Sequence, residues 1–256
     1  MGILHKSSMD SKKDMIALVT GGAGGIGSET AMTLAGEGAW VIIADLYDKV
    51  EETAEILSRK SGGKITGLRV DVSDFDSCTK LRGEVEKVVG ERRMDIIVNN
   101  AGITRDALIT KMDFATWDKV VRVDLYSAFN ITKNFVEWMI ERKFGRIVSL
   151  SSISWKGNVG QVNYSSAKAG IVGFTGSLSR ELARYGITVN AIAPGLIDTD
   201  ILKSIPDKIM QGIIEKIPMR RLGKPEEVAS LISFLTSRDT SYITGEVVSI
   251  NGGFNF

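Results

Sequence analysis

Tyr164 and Lys168 are two side chains whose types and spacing could support acid–base chemistry. They lie four residues apart in a stretch with a helical pattern, so they share one helix face. A free phenol has a pKa of about 10 and is a poor acid or base at neutral pH. An ammonium group one turn away stabilises a phenolate and lowers the pKa of a phenol toward the pH at which proton transfer is needed. Ser152 precedes this helix at the end of a predicted strand, where its hydroxyl can hydrogen-bond a carbonyl oxygen.

A glycine-rich turn is predicted at 20–27, where the sequence reads T-G-G-A-G-G-I-G. The apolar run 16–19 precedes this turn, and a stretch with Ala31, Leu34 and Ala35 on one helical face follows it. Glycines let the backbone turn sharply and let a diphosphate approach the main chain. The N–H groups and the positive dipole end of the new helix then face that anion, so the order strand, turn, helix predicts a nucleotide site.

Composition excludes several classes of protein. The chain has 256 residues, 43% hydrophobic and 25% charged, with a net charge of +1, which is typical of a soluble globular protein and gives no field for binding nucleic acid or an anionic membrane. No apolar run approaches the roughly 20 residues of a membrane-spanning helix. A single histidine, His5, leaves no histidine triad or histidine-rich metal site, and we expect no metal. A single cysteine, Cys78, excludes an internal disulfide and fits the cytoplasm.

Strand and helix patterns alternate along the chain, which predicts a Rossmann-like, doubly wound parallel sheet with helices on both faces. Residues 15–256 are expected to form this single α/β domain, and residues 1–14, which have no pattern, a disordered leader without the apolar core of a signal peptide. The predicted strands are 16–19, 40–44, 65–70, 95–98, 145–150, 188–193 and 246–250. The predicted helices after the first are 49–59, 74–89, 114–143, 163–185 and 225–235.

Turn-forming and polar residues follow most of the predicted strands. Ligands of open α/β sheets bind at the carboxyl ends of the strands, so these residues are candidates for one site. Turn formation alone could explain individual members such as Asn99 and Pro194, but it explains less well why all of them fall at one edge of the sheet. Besides the glycine turn, the set consists of Asp45, Asp71, 99–102, Ser151, Ser152, Pro194 and Gly195.

The glycine spacing T-G-x-x-x-G-x-G, followed by Ser152, Tyr164 and Lys168 in this order, resembles the short-chain dehydrogenase/reductase family over 15–256. The resemblance implies hydride transfer with a nicotinamide cofactor, Tyr164 as the acid that protonates a carbonyl oxygen, and Lys168 as the residue that binds the ribose and tunes Tyr164. It also implies that Asp71 and Val72 flank the adenine. The implied cofactor-binding residues are Gly21, Gly25, Ile26, Gly27, Asp45, Asp71, Val72, Asn99, Ala101, Gly102, Tyr164, Lys168, Pro194, Gly195, Ile197 and Thr199.

Two features depart from the family's pattern. Asp124 stands where the family usually has an asparagine implicated in a water-linked proton relay to the lysine, so Asp124 is a fourth candidate catalytic residue. An aspartate still accepts hydrogen bonds, so we expect an altered relay and not its loss. Ser152 also lies one residue closer to Tyr164 than is usual. Either the loop 153–160 has a deletion or Ser151 takes the role, and the register of the preceding strand favours Ser152.

Asp45 predicts NAD(H) over NADP(H) as the cofactor. It ends the second predicted strand about 20 residues past the glycine turn, where a carboxylate can hydrogen-bond the ribose hydroxyls and repels a 2′-phosphate. Relatives that use NADP commonly carry a basic residue in the glycine turn, and this chain has Gly24 there. The alternatives are that Asp45 only caps the next turn, or that Lys49 folds back and softens the repulsion.

Within the family, the segments 99–106, 160–164 and 221–227 resemble 3-oxoacyl-(acyl-carrier-protein) reductases and acetoacetyl-CoA reductases. This implies an acyl thioester substrate on acyl carrier protein or CoA. A dehydrogenase of small alcohols, sugars or steroids is the alternative enzyme, and a non-catalytic nucleotide sensor the alternative from another class. The segment 200–218 is expected to be a substrate lid or a helical pair packed on the domain; its apolar residues are Ile201, Leu202, Ile205, Ile209, Met210 and Ile213.

A homotetramer is expected from the family resemblance and from the predicted helices 114–143 and 163–185. These helices carry more apolar positions than one sheet face can cover. The positions are Trp117, Phe129, Phe135, Trp138 and Phe174.

Overall fold

Seven parallel strands form a single sheet in the order β3-β2-β1-β4-β5-β6-β7. The structure is a computed structural model that describes residues 11–91, 93–199, 202 and 207–254. The strands are β1 (Ile16–Thr20), β2 (Trp40–Asp45), β3 (Lys64–Arg69), β4 (Ile96–Asn99), β5 (Gly145–Leu150), β6 (Ile187–Pro194) and β7 (Val247–Ile250). The helices are α1 (Gly25–Gly36), α2 (Val50–Ser61), α3 (Phe75–Val89), α4 (Phe114–Val121), α5 (Ser127–Arg142), α6 (Val162–Leu182), α7 (Asp207–Ile214) and α8 (Pro225–Leu235).

Helices cover both faces of the sheet, as the alternating pattern predicted. Every residue of β1 is buried, and successive side chains point to opposite faces. Ala17 and Val19 pack in a core with α1, α2 and α8. Ile16 and Leu18 pack in a second core with α3 and α5. A strand between two such cores must be apolar throughout, which is why the inner strands read as continuous apolar runs.

The prediction of one continuous helix over 114–143 is wrong in the middle of that range. The chain is α-helical over Phe114–Val121 and Ser127–Arg142, and between these helices a π-helical segment spans Arg122–Tyr126. The backbone N–H of Ser127 donates to the carbonyl oxygen of Arg122, five residues earlier. A single π turn keeps the chain helical, so the sequence pattern did not separate it from the α-helices on either side, and such turns are frequent at functional sites.

The expected disordered leader does not hold for its last four residues. Residues 11–14 form a turn, and Lys12 is buried against Glu37, just past α1, and Ser233 on α8. Residues 1–10 lie outside the described residues. A charged side chain gives no hydrophobic signal in the sequence, so an ordered polar anchor of this kind looks like disorder.

The segment 200–218, expected to be a substrate lid or a helical pair, contains the helix α7 over Asp207–Ile214. On this helix Ile209 is exposed, and Met210 and Ile213 are half-buried. Leu202 is half-buried, whereas Ile201 and Ile205 lie outside the described residues.

Candidate active site

The glycine turn joins β1 to α1 at the carboxyl edge of the sheet. Gly21 and Gly25 have φ angles of 62° and 51°, in the left-handed region that favours glycine. A Cβ on Gly27 would lie 2.1 Å from the carbonyl oxygen of Gly21, so only glycine lets the helix start this close to the turn. The three predicted glycines therefore each answer a steric demand of this turn.

The start of α1 fits a diphosphate. Gly24 is the residue before the helix and supplies no side-chain hydrogen bond to its first turn, which contains no acidic residue. No described atom lies within 4 Å of the position that a Cβ on Gly24 would take. The first turn of α1, which includes the amide of Ile26, is therefore not capped by a side chain, and such free amides are the donors that bind phosphate groups at helix N-termini.

Asp45 is the last residue of β2 and is half-buried beside the glycine turn. Its Oδ2 accepts a hydrogen bond from the backbone N–H of Ala23 at 3.0 Å, and its Oδ1 accepts one from the N–H of Tyr47 at 3.1 Å. Asp45 therefore caps the next turn and also braces the glycine turn. The neighbouring cation, Arg69, pairs with Asp48 at 2.9 Å and does not form an ion pair with Asp45 in the structure.

The segment after β4 is fastened to the glycine turn by Asn100, which belongs to the candidate set 99–102 but was not among the implied cofactor-binding residues. The Nδ2 of Asn100 donates to the carbonyl oxygens of Thr20 at 2.9 Å and Gly21 at 3.0 Å, and the hydroxyl of Thr20 accepts from the N–H of Ala101 at 3.1 Å. Asn99 is buried, and its Nδ2 donates to Ser149 on β5 at 3.1 Å. Residues 99–102 read N-N-A-G, and only the contacts in the structure show what Asn100 binds.

The remaining predicted cofactor residues lie after β3 and after β6. Val72 is buried, and Asp71 accepts hydrogen bonds from the N–H and hydroxyl of Ser73. At the other end, Pro194 ends β6 and Gly195 packs against Asn251. After Gly195 the chain forms a β-bridge between Ile197 and Gly223. Thr199 then lies close to the glycine turn, since a Cβ on Gly25 would be 3.5 Å from its side chain. The structure thus brings Thr199 next to the glycine turn.

Tyr164 lies near the start of α6, and Lys168 follows one turn later. The Nζ of Lys168 is 5.4 Å from the centre of the Tyr164 ring and donates to the carbonyl oxygen of Leu150 at 2.9 Å. Lys168 is only 3% exposed, whereas Tyr164 is half-buried. The predicted pair is therefore an accessible phenol above a buried ammonium group, the arrangement that acid–base chemistry by tyrosine requires.

Asp124 lies directly against Lys168. Its Oδ2 is 3.1 Å from Nζ, an ion pair whose angle is not that of a hydrogen bond, and its Oδ1 accepts from the N–H of Ile103 at 2.8 Å. Burial raises the pKa of Asp124, against the opposing effects of Lys168 and of the Ile103 N–H. For Lys168, burial lowers the pKa, but Asp124 and then Tyr164 outweigh it, so the pKa of Lys168 is raised.

Ser151 and Ser152 differ in what their side chains do. Ser151 is buried, and its hydroxyl donates to the carbonyl oxygen of Lys168 at 2.9 Å, which ties β5 to α6. Ser152 is half-buried, and its hydroxyl accepts from the N–H of Ser154 in the short 3₁₀ turn that packs against α6. Of the two hydroxyls, that of Ser152 is the less committed to the protein interior, in agreement with the strand register.

Gln161 and Asn163, which precede Tyr164, hold the neighbouring loops together, and neither was predicted to have a role. Asn163 is buried, donates from Nδ2 to the carbonyl oxygen of Arg105 at 2.9 Å and accepts from the N–H of Tyr164. Gln161 donates to Asp106 at 2.9 Å. The loops after β4 and β5 therefore border Tyr164 as one unit. Nothing in the sequence pattern distinguishes these amides from ordinary polar residues.

Two kinds of feature are absent from the part of the chain that the structure describes. It contains no group of three or more histidine, cysteine, aspartate or glutamate residues arranged to hold a metal ion. Its helices also include none with the length and apolar character needed to span a membrane.

Known proteins match nearly the whole chain. The family described as enoyl-(acyl carrier protein) reductase matches residues 21–255. The chain is 44% identical over 240 residues to the 3-oxoacyl-[acyl-carrier-protein] reductase of Aquifex aeolicus, which covers 93% of this chain and 96% of that protein. It is 41% identical over 242 residues to the acetoacetyl-CoA reductase of Cupriavidus necator, with 94% and 98% covered, and 45% identical over 244 residues to nodulation protein G of Azospirillum brasilense, with 94% and 98% covered. The chain therefore belongs to the short-chain dehydrogenase/reductase family of oxidoreductases, and within it resembles 3-oxoacyl-(acyl-carrier-protein) reductase.

Proposed function

We propose that this protein interconverts a 3-oxoacyl thioester and its 3-hydroxyacyl form, using NAD(H), with the acyl chain carried on acyl carrier protein or CoA. The observation that carries the proposal is the half-buried Tyr164 phenol above the buried ammonium of Lys168, 5.4 Å from its ring centre. The names of the relatives supply the substrate class, since they are 3-oxoacyl-carrier and acetoacetyl-CoA reductases.

The chemistry divides between the cofactor and the chain. Family membership implies a nicotinamide cofactor, which when bound supplies or accepts the hydride at the 3-carbon. Tyr164 gives a proton to the carbonyl oxygen during reduction and takes one back during oxidation. Lys168 would hold the nicotinamide ribose and tune Tyr164 for this proton transfer. Ser152 orients the carbonyl oxygen by a hydrogen bond.

NAD(H) is the proposed cofactor because of Asp45. The glycine turn and the start of α1 would hold the diphosphate, and Asp45 lies beside them with a carboxylate fixed by two backbone N–H groups. A fixed carboxylate accepts hydrogen bonds from ribose hydroxyls and repels a 2′-phosphate. Asp71 and Val72 would flank the adenine, and the segment from Pro194 to Thr199 would meet the nicotinamide end.

The acyl chain is proposed to lie under α7. Ile209 on this helix is exposed, and Met210 and Ile213 are half-buried, so the helix presents an apolar face that is not fully covered by the domain. An apolar surface of this kind suits a hydrocarbon chain.

A homotetramer is the proposed assembly. The exposed apolar side chains that support it differ in part from those expected from the sequence. Phe135 and Trp138, two of the residues behind this expectation, belong to the monomer core and support no interface. Other large apolar side chains are exposed on α3, α4, the π-helical segment and α5, and those of Phe75 and Phe129 stack at 6.4 Å, a feature that is typical of contact surfaces. They are Phe75, Phe114, Tyr126 and Phe129.

The cytoplasm is the proposed location. Cys78 is buried, and burial, followed by Asp74 and Asp71, raises the pKa of its thiol to about 12. A protonated, buried thiol is inert and forms no disulfide, which suits a reducing compartment.

A substrate panel tests the proposed function. The purified protein is mixed with NADH and one candidate substrate in each of five parallel assays, and oxidation of NADH is followed by its absorbance. The substrates are acetoacetyl-CoA, crotonyl-CoA, a small ketone, a keto sugar and a steroid ketone. We expect turnover of acetoacetyl-CoA and little of the others. The crotonyl-CoA arm tests enoyl reduction, the activity in the description of the matching family. Turnover of a small ketone, sugar or steroid without the thioester would overturn the proposal, and NADH binding without any turnover would favour a sensor.

A further inference from the structure

The buried carboxylate of Asp124, on the π-helical segment, faces the ammonium group of Lys168 on α6. Asp124 is 2% exposed and Lys168 is 3% exposed, and their charged atoms are 3.1 Å apart. The Nζ of Lys168 is also 5.4 Å from the centre of the Tyr164 ring, so the negative charge lies within about 9 Å of that ring centre. Asp124 and Lys168 are both buried, so water screens the interaction between their charges weakly.

The backbone is built to let the two charges meet. Asp124 is in the middle of the π-helical segment Arg122–Tyr126, whose wider turn sets its side chain apart from the regular helical spacing. A Cβ on Gly102 would lie 2.9 Å from Oδ2 of Asp124 and 3.3 Å from Nζ of Lys168, so any larger residue there would press on the pair. The N–H of Ile103 fixes the other carboxylate oxygen at 2.8 Å.

The other charged groups nearby are engaged elsewhere. On the π-helical segment, Arg122 pairs with Asp118 at 2.6 Å on the surface. In the loop after β4, Asp106 accepts a hydrogen bond from Gln161, and the guanidinium of Arg105 donates to a backbone carbonyl of its own loop. The end of β5 contributes only the carbonyl oxygen of Leu150 and two serines. Among the described residues, Asp124 is the acid that forms an ion pair with Lys168.

We infer that Asp124 is a positioning residue that offsets the charge of Lys168 and thereby extends, toward higher pH, the range in which Tyr164 keeps its proton for donation. The inference rests on the proposed function for its meaning in catalysis. An ammonium alone favours the ionised phenol, whereas an ammonium paired with a carboxylate presents little net charge to the phenol. The chain thus keeps the donors of a buried lysine while weakening its field, which suits reduction of a carbonyl, where a protonated tyrosine is required.

The first test is the pH profile of the reverse reaction, which needs the ionised phenol. Oxidation of 3-hydroxybutyryl-CoA with NAD⁺ is measured for the wild type and for Asp124→Asn. The amide is nearly isosteric and its oxygen can face Lys168, while the Leu150 carbonyl oxygen still accepts a hydrogen bond from the charged Lys168. Loss of a unit charge about 9 Å away, at an effective dielectric near 20, should move the midpoint of the profile about one pH unit lower.

Asp118→Asn is the matched control, because it removes an acid from the neighbouring turn whose partner is the surface residue Arg122. It should leave the midpoint where the wild type has it. Asp124→Ser removes the same buried charge without introducing an amide, and it should lower the midpoint in the same way. This second variant keeps the test possible if Asp124→Asn does not fold. Thermal melting identifies any variant that does not fold.

The second test needs no turnover. The absorbance of tyrosinate is titrated in the wild type and in Asp124→Asn, and each curve is corrected by the same titration of a protein that also carries Tyr164→Phe. The difference curve isolates Tyr164, and its midpoint should fall by about one pH unit when Asp124 is neutralised. A shifted titration with no thioester turnover would uphold the inference and refute the proposed function. Identical midpoints in both backgrounds would overturn the inference.

Discussion

The carboxylate of Asp45 accepts a hydrogen bond from the backbone N–H of Ala23 at 3.0 Å, which fastens the end of β2 to the glycine turn. This contact places a fixed negative charge beside the region where the start of α1 would hold a diphosphate. The charge cannot swing away from a bound nucleotide without losing the hydrogen bond. Asp45 is therefore the residue through which the preference between the two nicotinamide cofactors is best tested.

We predict that the wild type prefers NADH to NADPH by about a hundredfold in kcat/KM, because like charges a few ångströms apart repel by a few kcal/mol at an effective dielectric near 20. Asp45→Ser should reduce the ratio strongly, and its hydroxyl can still accept from Ala23. Asp48→Ser, which removes an exposed acid paired with Arg69, is the control and should change the ratio little. A wild type that prefers NADPH, or an unchanged ratio in Asp45→Ser, would show that Asp45 does not set the choice.

Tyr164→Phe should abolish most of the turnover while the fold and the binding of NADH persist. The change removes only the hydroxyl that transfers the proton, and a positioned acid of this kind contributes about a hundredfold to ten-thousandfold in rate. Steady-state kcat measures the loss, and quenching of intrinsic fluorescence by NADH measures binding. Tyr185→Phe, in the 3₁₀ turn just after α6, is the control. Retention of most of kcat in Tyr164→Phe would exclude it as the acid.

Gly27→Ala and Gly24→Ala form a matched pair in the glycine turn. A Cβ at position 27 would lie 2.1 Å from the carbonyl oxygen of Gly21, whereas at position 24 it would have no described atom within 4 Å. Overpacking against backbone should lower the melting temperature of Gly27→Ala by roughly 5–10 °C, and Gly24→Ala, whose φ of −159° suits alanine, should melt like the wild type. Equal melting temperatures for the two variants would show that the turn relaxes around the new methyl group.

Lys12→Ala should lower the free energy of unfolding by about 3 kcal/mol, because it leaves Glu37 and Ser233 without the buried ammonium between them. Lys12 is 1% exposed, lies 2.8 Å from Glu37, and donates to the Ser233 carbonyl oxygen at 3.0 Å. Urea unfolding at neutral pH measures the loss. Lys13→Ala removes an exposed neighbour and should have almost no effect. If both variants unfold alike, residues 11–14 do not anchor the domain.

Light scattering at micromolar concentration should report the mass of a tetramer. Phe129→Glu places a charge in the exposed apolar cluster of α3 and α5 and should lower the mass without unfolding the protein. Ile56→Glu, on α2 outside that cluster, tests whether any exposed charge has the same effect. A wild-type mass equal to that of the monomer would refute the proposed assembly.

Local patterns in the sequence determined the order of strands and helices, and with it the edge of the sheet where ligands bind. A strand buried on both faces must be apolar throughout, and a helix must repeat its apolar residues every three or four positions, so both are readable without neighbours. The same local geometry puts Tyr164 and Lys168 on one face, because four residues make about one turn of any α-helix. The family resemblance then followed from the glycine spacing in this context.

Tertiary structure alone decided which polar groups meet. Asp124 on a π turn reaches Lys168 on another helix, Asn100 binds a turn 79 residues earlier in the chain, and Lys12 is buried against a serine 221 residues away. Such contacts depend on how whole elements pack, and a polar side chain looks the same in the sequence whether water or a buried partner satisfies it. The sequence by itself therefore determined the scaffold and the candidate pair Tyr164 and Lys168, and the packing of distant elements placed the Asp124 carboxylate against Lys168.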